Sequence, residues 1–540
     1  MIVIQKKTKD KGNVSGEIQG DTLPFPRERR RALQNEEIRE YIVSAEEMKR
    51  YDGNTIREFG VPSLVLMERA ALGVAEELEK RFSPGARVLI VAGSGNNGGD
   101  GMAIGRLLCQ RGYPVEILFH GDRERCTPET AVQWKIAEKY GCIFTDKTEE
   151  TEYDIIVDAL FGVGLSRPLE GESARLVDWI NESGAFCCAV DLPSGVHADT
   201  GEIMGTAVQA DLTVTFGFRK AGHMFYPGAV CGGEIVCREI GIDRHSFLDR
   251  PPALFTYTDQ ALQLLPQRNV SGNKGSFGKV LVIAGKRNMS GACQLCAESC
   301  YRMGTGMVKI LTDESNRTIL QTGIPEALFA AWPSEEKEEL PEVWMEWADS
   351  IVIGPGLGTD SRASELLSRV LEGPDRPLVI DADGLNLLAQ DPVLLQQMKQ
   401  SAASGRSMIL TPHMGEFVRL YGGTVQEARQ QMQERVRALA EEYQCVIACK
   451  DARTLVCDRG EQVCYLNTTG NDGMATAGSG DVLAGIIGGL LAQQMDPFQA
   501  ASLGVWIHGR AGDFAAARQG RYALMARDLI RELGHVTSGK

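Results

Sequence analysis

Polar and apolar positions in this chain follow two rhythms, and the pair of rhythms recurs along its length. From Ser44 the spacing is helical: Ser44-Ala-Glu-Glu47 reads as a capping box, and Met48, Tyr51, Ile56 and Phe59 mark a face expected to be buried. A second helix is predicted over about 63–80. Short, continuous apolar runs follow at 87–92, 115–119, 155–158, 186–190 and 212–216, each separated from the next by a helical stretch. Such runs predict a parallel sheet covered by helices on both faces. Prolines at Arg250-Pro-Pro252 and Pro266 interrupt the rhythm, so 246–266 is expected to be a linker. A second cycle opens at Lys279-Val-Leu-Val-Ile-Ala284, continues at 308–311, 350–353, 378–381, 408–410 and 446–449, and ends in long helices after Gly480.

At 540 residues the chain exceeds the roughly 250–300 that one core organises, which agrees with two α/β domains joined head to tail. The expected limits are a flexible extension over 1–40, a first domain over 41–245, and a second over 267–538. Lys6, Lys7, Lys9, Lys11 and the Arg27-Glu-Arg-Arg-Arg31 cluster fall in the extension, which has little apolar periodicity. A hydrophobic content of 43% supplies material for two cores. The net charge of −15 would repel a polyanion, so nucleic acid is not an expected partner. The start of the chain lacks an apolar export stretch, and the longest weakly polar run, 482–492, is too short to cross a bilayer. A cytoplasmic protein with reduced core thiols is expected, with no membrane association. Cys293, Cys296 and Cys300 fall at i, i+3 and i+7, which reads as the buried stripe of a helix in preference to a metal site.

Two glycine-rich turns carry the candidate chemistry. The first, Ala92-Gly-Ser-Gly-Asn-Asn-Gly-Gly-Asp-Gly101, follows a predicted strand; bare backbone there lets amides and a helix N-terminus face a phosphate. Oxygen-bearing side chains stand at three separate strand ends, namely Asn97, Asp158 and Ser194, and can coordinate a hard monovalent cation. Asp191, beside the stiff Pro193 turn, is placed for general acid or base work. The second turn, Ala477-Gly-Ser-Gly-Asp481, opens a small-residue helix whose amides can stabilise a transferring phosphoryl group, with Asp481 placed to take a proton from a substrate hydroxyl. His413 lies near a predicted strand end, and Asp381 and Asp383 either meet magnesium through water or close a turn.

The first turn, with Val157-Asp-Ala-Leu-Phe-Gly162 and Asp191-Leu-Pro-Ser-Gly195, resembles the NAD(P)H-hydrate epimerase family over about residues 44–245. The resemblance implies a Rossmann-like three-layer sandwich in which Asn96, Asn97, Gly98, Gly99, Asp100, Gly162, Val163, Gly164, Leu165, Ser166, Arg167 and Pro168 contact the hydrated nucleotide. It further implies that Asn97, Asp158 and Ser194 bind K+ and that Asp191 touches the reacting ring. Arg219 departs from the proline that the family often carries before Lys220.

The second half resembles the ribokinase-like NAD(P)H-hydrate dehydratases over about 267–537. The strings are Asn273-Lys-Gly-Ser-Phe-Gly278, Ser290-Gly-Ala292, Gly354-Pro-Gly-Leu-Gly358, Asp381-Ala-Asp383, Thr411-Pro-His-Met-Gly-Glu416 and the Gly480-Asp481 turn. By that resemblance Ala292, Gly356, His413 and Asp481 meet the hydrate, while Lys450, Asp451, Ala452, Arg453, Thr454 and Gly480 hold the adenine nucleotide, with Mg2+ and with ADP as co-substrate. Asn273 stands where many members have histidine, and Asp451 replaces a usual glycine. The resemblance implies a bifunctional repair enzyme acting on the hydrates NADHX and NADPHX, and a homo-oligomer is expected. The alternative is a vitamin-precursor type of small-molecule kinase fused to a regulatory nucleotide-binding domain.

Overall fold

The computed structural model describes residues 37–145, 152–332, 341–460 and 463–539. The lysines and the arginine cluster before residue 32 lie outside the described residues. Ser44 caps the helix Ala45–Arg57 in a capping box with Glu47, as its spacing predicts, and the next helix runs Ser63–Glu79. Met48 and Tyr51 are buried, but Phe59 is exposed, because the helix stops at Arg57 and the chain turns out before it.

All seven strands of the first sheet are parallel, in the order Ile143–Thr145, Val115–Phe119, Val88–Ala92, Ile155–Ala159, Phe186–Val190, Leu212–Phe216, Glu234–Arg238. Apolar clusters fill both faces: Val88, Ile90 and Val157 point to one, Leu89, Val91 and Ile156 to the other. The strand order reverses between Val88–Ala92 and Ile155–Ala159, and ligands of such sheets bind outside the carboxyl ends at that crevice.

A second sheet has twelve strands. Seven are parallel, running Leu328–Ala331, Met307–Thr312, Lys279–Ile283, Ser350–Ile353, Leu378–Ile380, Met408–Leu410 and Val446–Cys449. Leu455–Cys457 and Cys464–Leu466 then fold back antiparallel. The sheet is extended by residues from the first half of the chain: Leu254–Tyr257 pairs with Cys464–Leu466, Arg39–Val43 pairs with Leu254–Tyr257, and Arg219–Lys220 pairs with Ile42 and Val43. The 246–266 segment, expected as a linker, therefore supplies a buried strand, and residues 39 and 40 of the expected extension belong to another. Ile42 and Leu254 share one apolar cluster with Leu281 and Ile380, so the core is continuous from one half to the other.

Cys293, Cys296 and Cys300 are fully buried on the helix Ser290–Arg302. The expectation of reduced thiols needs one correction: Cys457 and Cys464, opposite each other on adjacent antiparallel strands, form a disulfide. The run 482–492 is a buried helix of the second core, and no described helix is long and apolar enough to cross a membrane.

Candidate active sites

The first glycine turn ends sooner than its sequence suggests, for the helix Asn96–Gln110 begins directly after Gly95. Asn96, Asn97, Gly98, Gly99 and Asp100 thus occupy its first turns; the leading amides there lack intrahelical partners, while Gly99 already donates to the Gly95 carbonyl at 3.3 Å. A Cβ on Gly98 would collide with the Gly93 carbonyl, so only glycine allows the tight entry. Across the reversal point, Gly162 faces the Asn97 side chain, whose Cγ would stand 3.3 Å from a Cβ placed there. Val163 and Leu165 are half-buried, while Gly164, Ser166, Arg167 and Pro168 open to solvent.

Asp158 is fully buried and bound to Ser194 twice, accepting from its amide at 2.8 Å and from its hydroxyl at 2.6 Å. The same hydroxyl accepts from the Phe161 amide at 2.9 Å, next to Gly162. Burial pushes the Asp158 carboxyl up to about 6, against the lowering effect of Ser194. The Asn97 amide nitrogen is buried without a hydrogen-bond partner. Exchanging the amide's N and O, which have nearly the same shape, would present an unpaired carbonyl oxygen there instead. One carboxylate, one hydroxyl and one orphaned amide are a hard-oxygen set suited to K+.

Asp191 closes the neighbouring strand at φ 68°, a left-handed conformation uncommon for a non-glycine residue. Its Oδ1 accepts from Lys220 Nζ at 2.5 Å and from the Thr215 hydroxyl at 2.9 Å. Lys220, fully buried, also donates to Thr215 Oγ1 at 2.9 Å and to the Phe216 carbonyl at 3.1 Å. His223 Nδ1 accepts from the Lys220 amide at 3.0 Å, which leaves Nε2 to donate to the Asp191 carbonyl at 2.8 Å. Burial works to raise the Asp191 pKa, but the Lys220 charge and hydrogen bond, with His223 and Thr215, overcome it and hold the carboxyl ionised below its usual range. Asp100 is the opposite case: burial, then the charges of Asp191 and Asp52, raise it well above the ordinary value. Burial and the Lys220 charge depress His223 to about 4. Thr215 and His223 carried no sequence signal, being an ordinary strand threonine and a lone histidine.

In the second half the strand order reverses between Lys279–Ile283 and Ser350–Ile353. Loops from both strand ends interlock there: the Gly285 amide donates to the Pro355 carbonyl at 2.9 Å and the Lys286 amide to the Gly356 carbonyl at 2.6 Å. Gly356 (φ 57°) abuts Ala292, so these two expected contacts lie side by side. The helix Ser479–Ala492 starts after Gly478 (φ 91°) and carries Asp481 in its first turn. Lys450 Nζ donates to Asp381 Oδ1 at 2.6 Å, and a Cβ on Gly480 would stand 3.3 Å from that ammonium. Thr411 donates to the same Asp381 oxygen at 2.7 Å.

Burial, then the charge of Asp381, pushes the Asp481 carboxyl up to about 7, against the pull of Lys450. Burial works to lower the Lys450 pKa, but Asp381 and Glu416 overcome it and keep the ammonium charged. His413 caps the helix Met414–Tyr421 through Nδ1, which accepts from Gly415 and Glu416 amides at 2.9 and 3.3 Å, and its backbone bridges to Lys450. His508 escaped the sequence reading; it is half-buried beside Ser479, with Nε2 buried and unpartnered and its pKa pushed down by burial to about 4. Thr454 is buried just before the strand Leu455–Cys457, whereas Asp451, Ala452 and Arg453 line a cavity between the halves. Asp451, the residue in place of a usual glycine, is neutralised by Arg429 at 2.7 and 2.9 Å.

Two glycine turns, one at a strand-order reversal and one against Asp381 and Lys450, each beside a perturbed carboxylate, define a two-domain enzyme, Rossmann-like in the first half and ribokinase-like in the second. Residues 280–534 match the family model described as NAD(P)H-hydrate dehydratase, and residues 63–222 match that of the YjeF-related protein N-terminus. The chain is 37% identical to the bifunctional NAD(P)H-hydrate repair enzyme Nnr of Moorella thermoacetica, over 92% of this chain and 96% of that protein. It is 32% identical to the Escherichia coli protein of the same name, over 92% and 93% of the two chains. Among solved structures, the ADP/ATP-dependent NAD(P)H-hydrate dehydratase of Bacillus subtilis, co-crystallised with ATP and Mg2+, is 30% identical, with a TM-score of 0.45 over 52% of this chain and 96% of that one. The chain belongs to the family of bifunctional NAD(P)H-hydrate repair enzymes.

Proposed function

We propose that the first half interconverts the R and S forms of NADHX and NADPHX, and that the second half dehydrates the S form to NADH or NADPH with ADP as co-substrate, giving AMP and phosphate. The observation that carries this reading is the contrast between an ionised carboxylate at Asp191 and a carboxyl at Asp481 that titrates near neutrality. The catalytic residues of the two reactions are read as lying within 41–245 and 267–538, although Arg39–Val43 and Leu254–Tyr257 join the sheet of the second unit.

The hydrate carries a hydroxyl on the ring carbon next to the ring nitrogen, whose lone pair expels the oxygen once it is protonated. Asp100, whose neutral form is favoured by burial and by the charges of Asp191 and Asp52, is suited to give that proton. Asp191, held ionised, is suited to stabilise the cationic ring and to take a proton from the water that adds to either face, the proton then passing to Asp100 to restore the starting state. This divides between two carboxyls the acid and base roles that the sequence alone gave to Asp191. K+ would sit on Asn97, Asp158 and Ser194, where its charge helps to hold the substrate's anionic part beside the turn.

In the second half the hydrate approaches Ala292, Gly356 and His413. Asp481 takes the proton from its hydroxyl, the oxygen attacks the terminal phosphoryl of ADP, and AMP leaves. The ring nitrogen then expels phosphate, and loss of a neighbouring proton restores the dihydropyridine. Gly480 amides and Lys450 face the phosphoryl charge. Asp381, whose Oδ1 is taken by Lys450 and Thr411, would help to hold Mg2+, which would supply charge neutralisation to the phosphates.

We read the protein as cytoplasmic, in keeping with its many unpaired cysteines, and as a homo-oligomer, supported by the exposed Phe59, Leu64 and Val65 around the start of the second helix. The test of function is to supply mixed NADH hydrates with ADP and follow NADH absorbance. Full recovery of NADH with release of phosphate is expected. Recovery that stops partway removes the epimerase, and a stable phosphorylated product would restore the kinase alternative.

A further inference from the structure

Between the two halves lies a cavity of about 670 Å3, within the range that takes drug-sized ligands. One side is made by Asp451, Ala452 and Arg453, which continue directly from Lys450. The other side is made by Phe225, Tyr226 and Pro227, which belong to the epimerase half. The charges on its wall balance in sum: Arg429 pairs with Asp451 at 2.7 Å, while Glu202, which accepts from the neutral Gln430 amide at 2.7 Å, offsets Arg453. Arg453 is anchored across the boundary, donating to the Met224 carbonyl at 3.2 Å, and its guanidinium lies 5.3 Å from the Tyr226 ring centroid. The Tyr226 side chain is 51% exposed, so its ring is available to a stacking partner. A cavity with internally matched charges, an open aromatic ring and apolar Met432 suits a neutral heterocycle with its sugar, not phosphates.

We propose that the epimerase half completes the nucleotide site of the dehydratase half: the base and ribose of ADP occupy this cavity against Tyr226, while the diphosphate extends past Lys450 to the Gly478–Gly480 turn. The inference rests on the ADP-dependent reading of the second half. It makes the segment 219–227 common to both reactions. At one end Lys220 and His223 hold Asp191, and at the other Phe225, Tyr226 and Pro227 wall the nucleotide cavity.

Calorimetric titration of the full chain with ADP and, separately, with inorganic pyrophosphate tests the assignment. Tyr226→Ala is expected to weaken ADP binding about tenfold, the loss of one stacked base, and to leave pyrophosphate binding as it was. Tyr226→Phe, which keeps the ring, restores ADP affinity, and Asp481→Asn binds ADP normally while losing turnover. Equal ADP affinity in wild type and Tyr226→Ala overturns this inference alone, as does parallel loss of ADP and pyrophosphate. A wild-type chain that neither binds nor consumes ADP overturns the reading beneath it as well.

Discussion

Asp191 and Asp481 are the same residue type, each proposed here to act in one of the two reactions, yet they differ in where the neighbouring lysine sits. In the first half Lys220 contacts the acting carboxylate itself, at 2.5 Å, and keeps it charged. In the second half Lys450 contacts Asp381, at 2.6 Å, and Asp481 is left with burial and a neighbouring negative charge, which lift it to about 7. One ammonium shifted by a single partner separates a permanent anion, suited to a developing ring cation, from a base that works near neutrality. The comparison teaches that the role of a buried carboxylate is set by which neighbour receives the compensating charge.

The largest expected effect comes from removing each carboxylate in turn. Asp481→Asn is expected to slow dehydration by about 10²–10⁴ with epimerisation intact, and Asp191→Asn to do the reverse, each measured with a single purified epimer. An Asp191→Asn protein that epimerises normally would refute its assignment. Lys220→Met tests the first pairing. It leaves a buried anion uncompensated, so it should lower unfolding stability by about 3–5 kcal/mol in denaturant titration, besides slowing epimerisation. The equivalent test of the second site is its pH profile. Because the deprotonated Asp481 acts, kcat/KM for dehydration should rise through an acidic limb near pH 7, whereas Asp191, held low, should give epimerisation no limb of its own there. A dehydratase profile flat from pH 5 to 9 would break the comparison. Replacing K+ by a large organic cation should slow epimerisation and leave dehydration unaffected. Smallest of all, Asp451→Gly unpairs the exposed Arg429 on the wall of the proposed nucleotide cavity, and its effect on the KM for ADP should stay within about 1 kcal/mol, or roughly fivefold.

Local periodicity was enough to locate the central strands of both sheets and the capped helix at Ser44, because each is long enough to display its own rhythm. Leu254–Tyr257 was not legible. Four residues after a proline pair carry no period, and what makes them a strand is pairing with residues 39–42 and 464–465, far off in the chain. Glycine and aspartate at the turns advertised themselves, since Gly98 tolerates no side chain. Their supporting groups did not: Thr215 and His223 matter through what they touch, and His508 becomes noteworthy only once it is seen half-buried beside Ser479. Phe59 misled because hydrophobic spacing extends past the point where the helix ends.

The sheet that crosses from one half to the other bears on any attempt to take the protein apart. A cut near residue 245 would strip the strand Arg39–Val43 of its neighbour Leu254–Tyr257 and leave a bare hydrogen-bonding edge on one fragment, and on the other an apolar surface where Ile42 had been. Separate expression of the pieces should yield sticky, poorly folding products, so a cell that makes this chain gains or loses both reactions together.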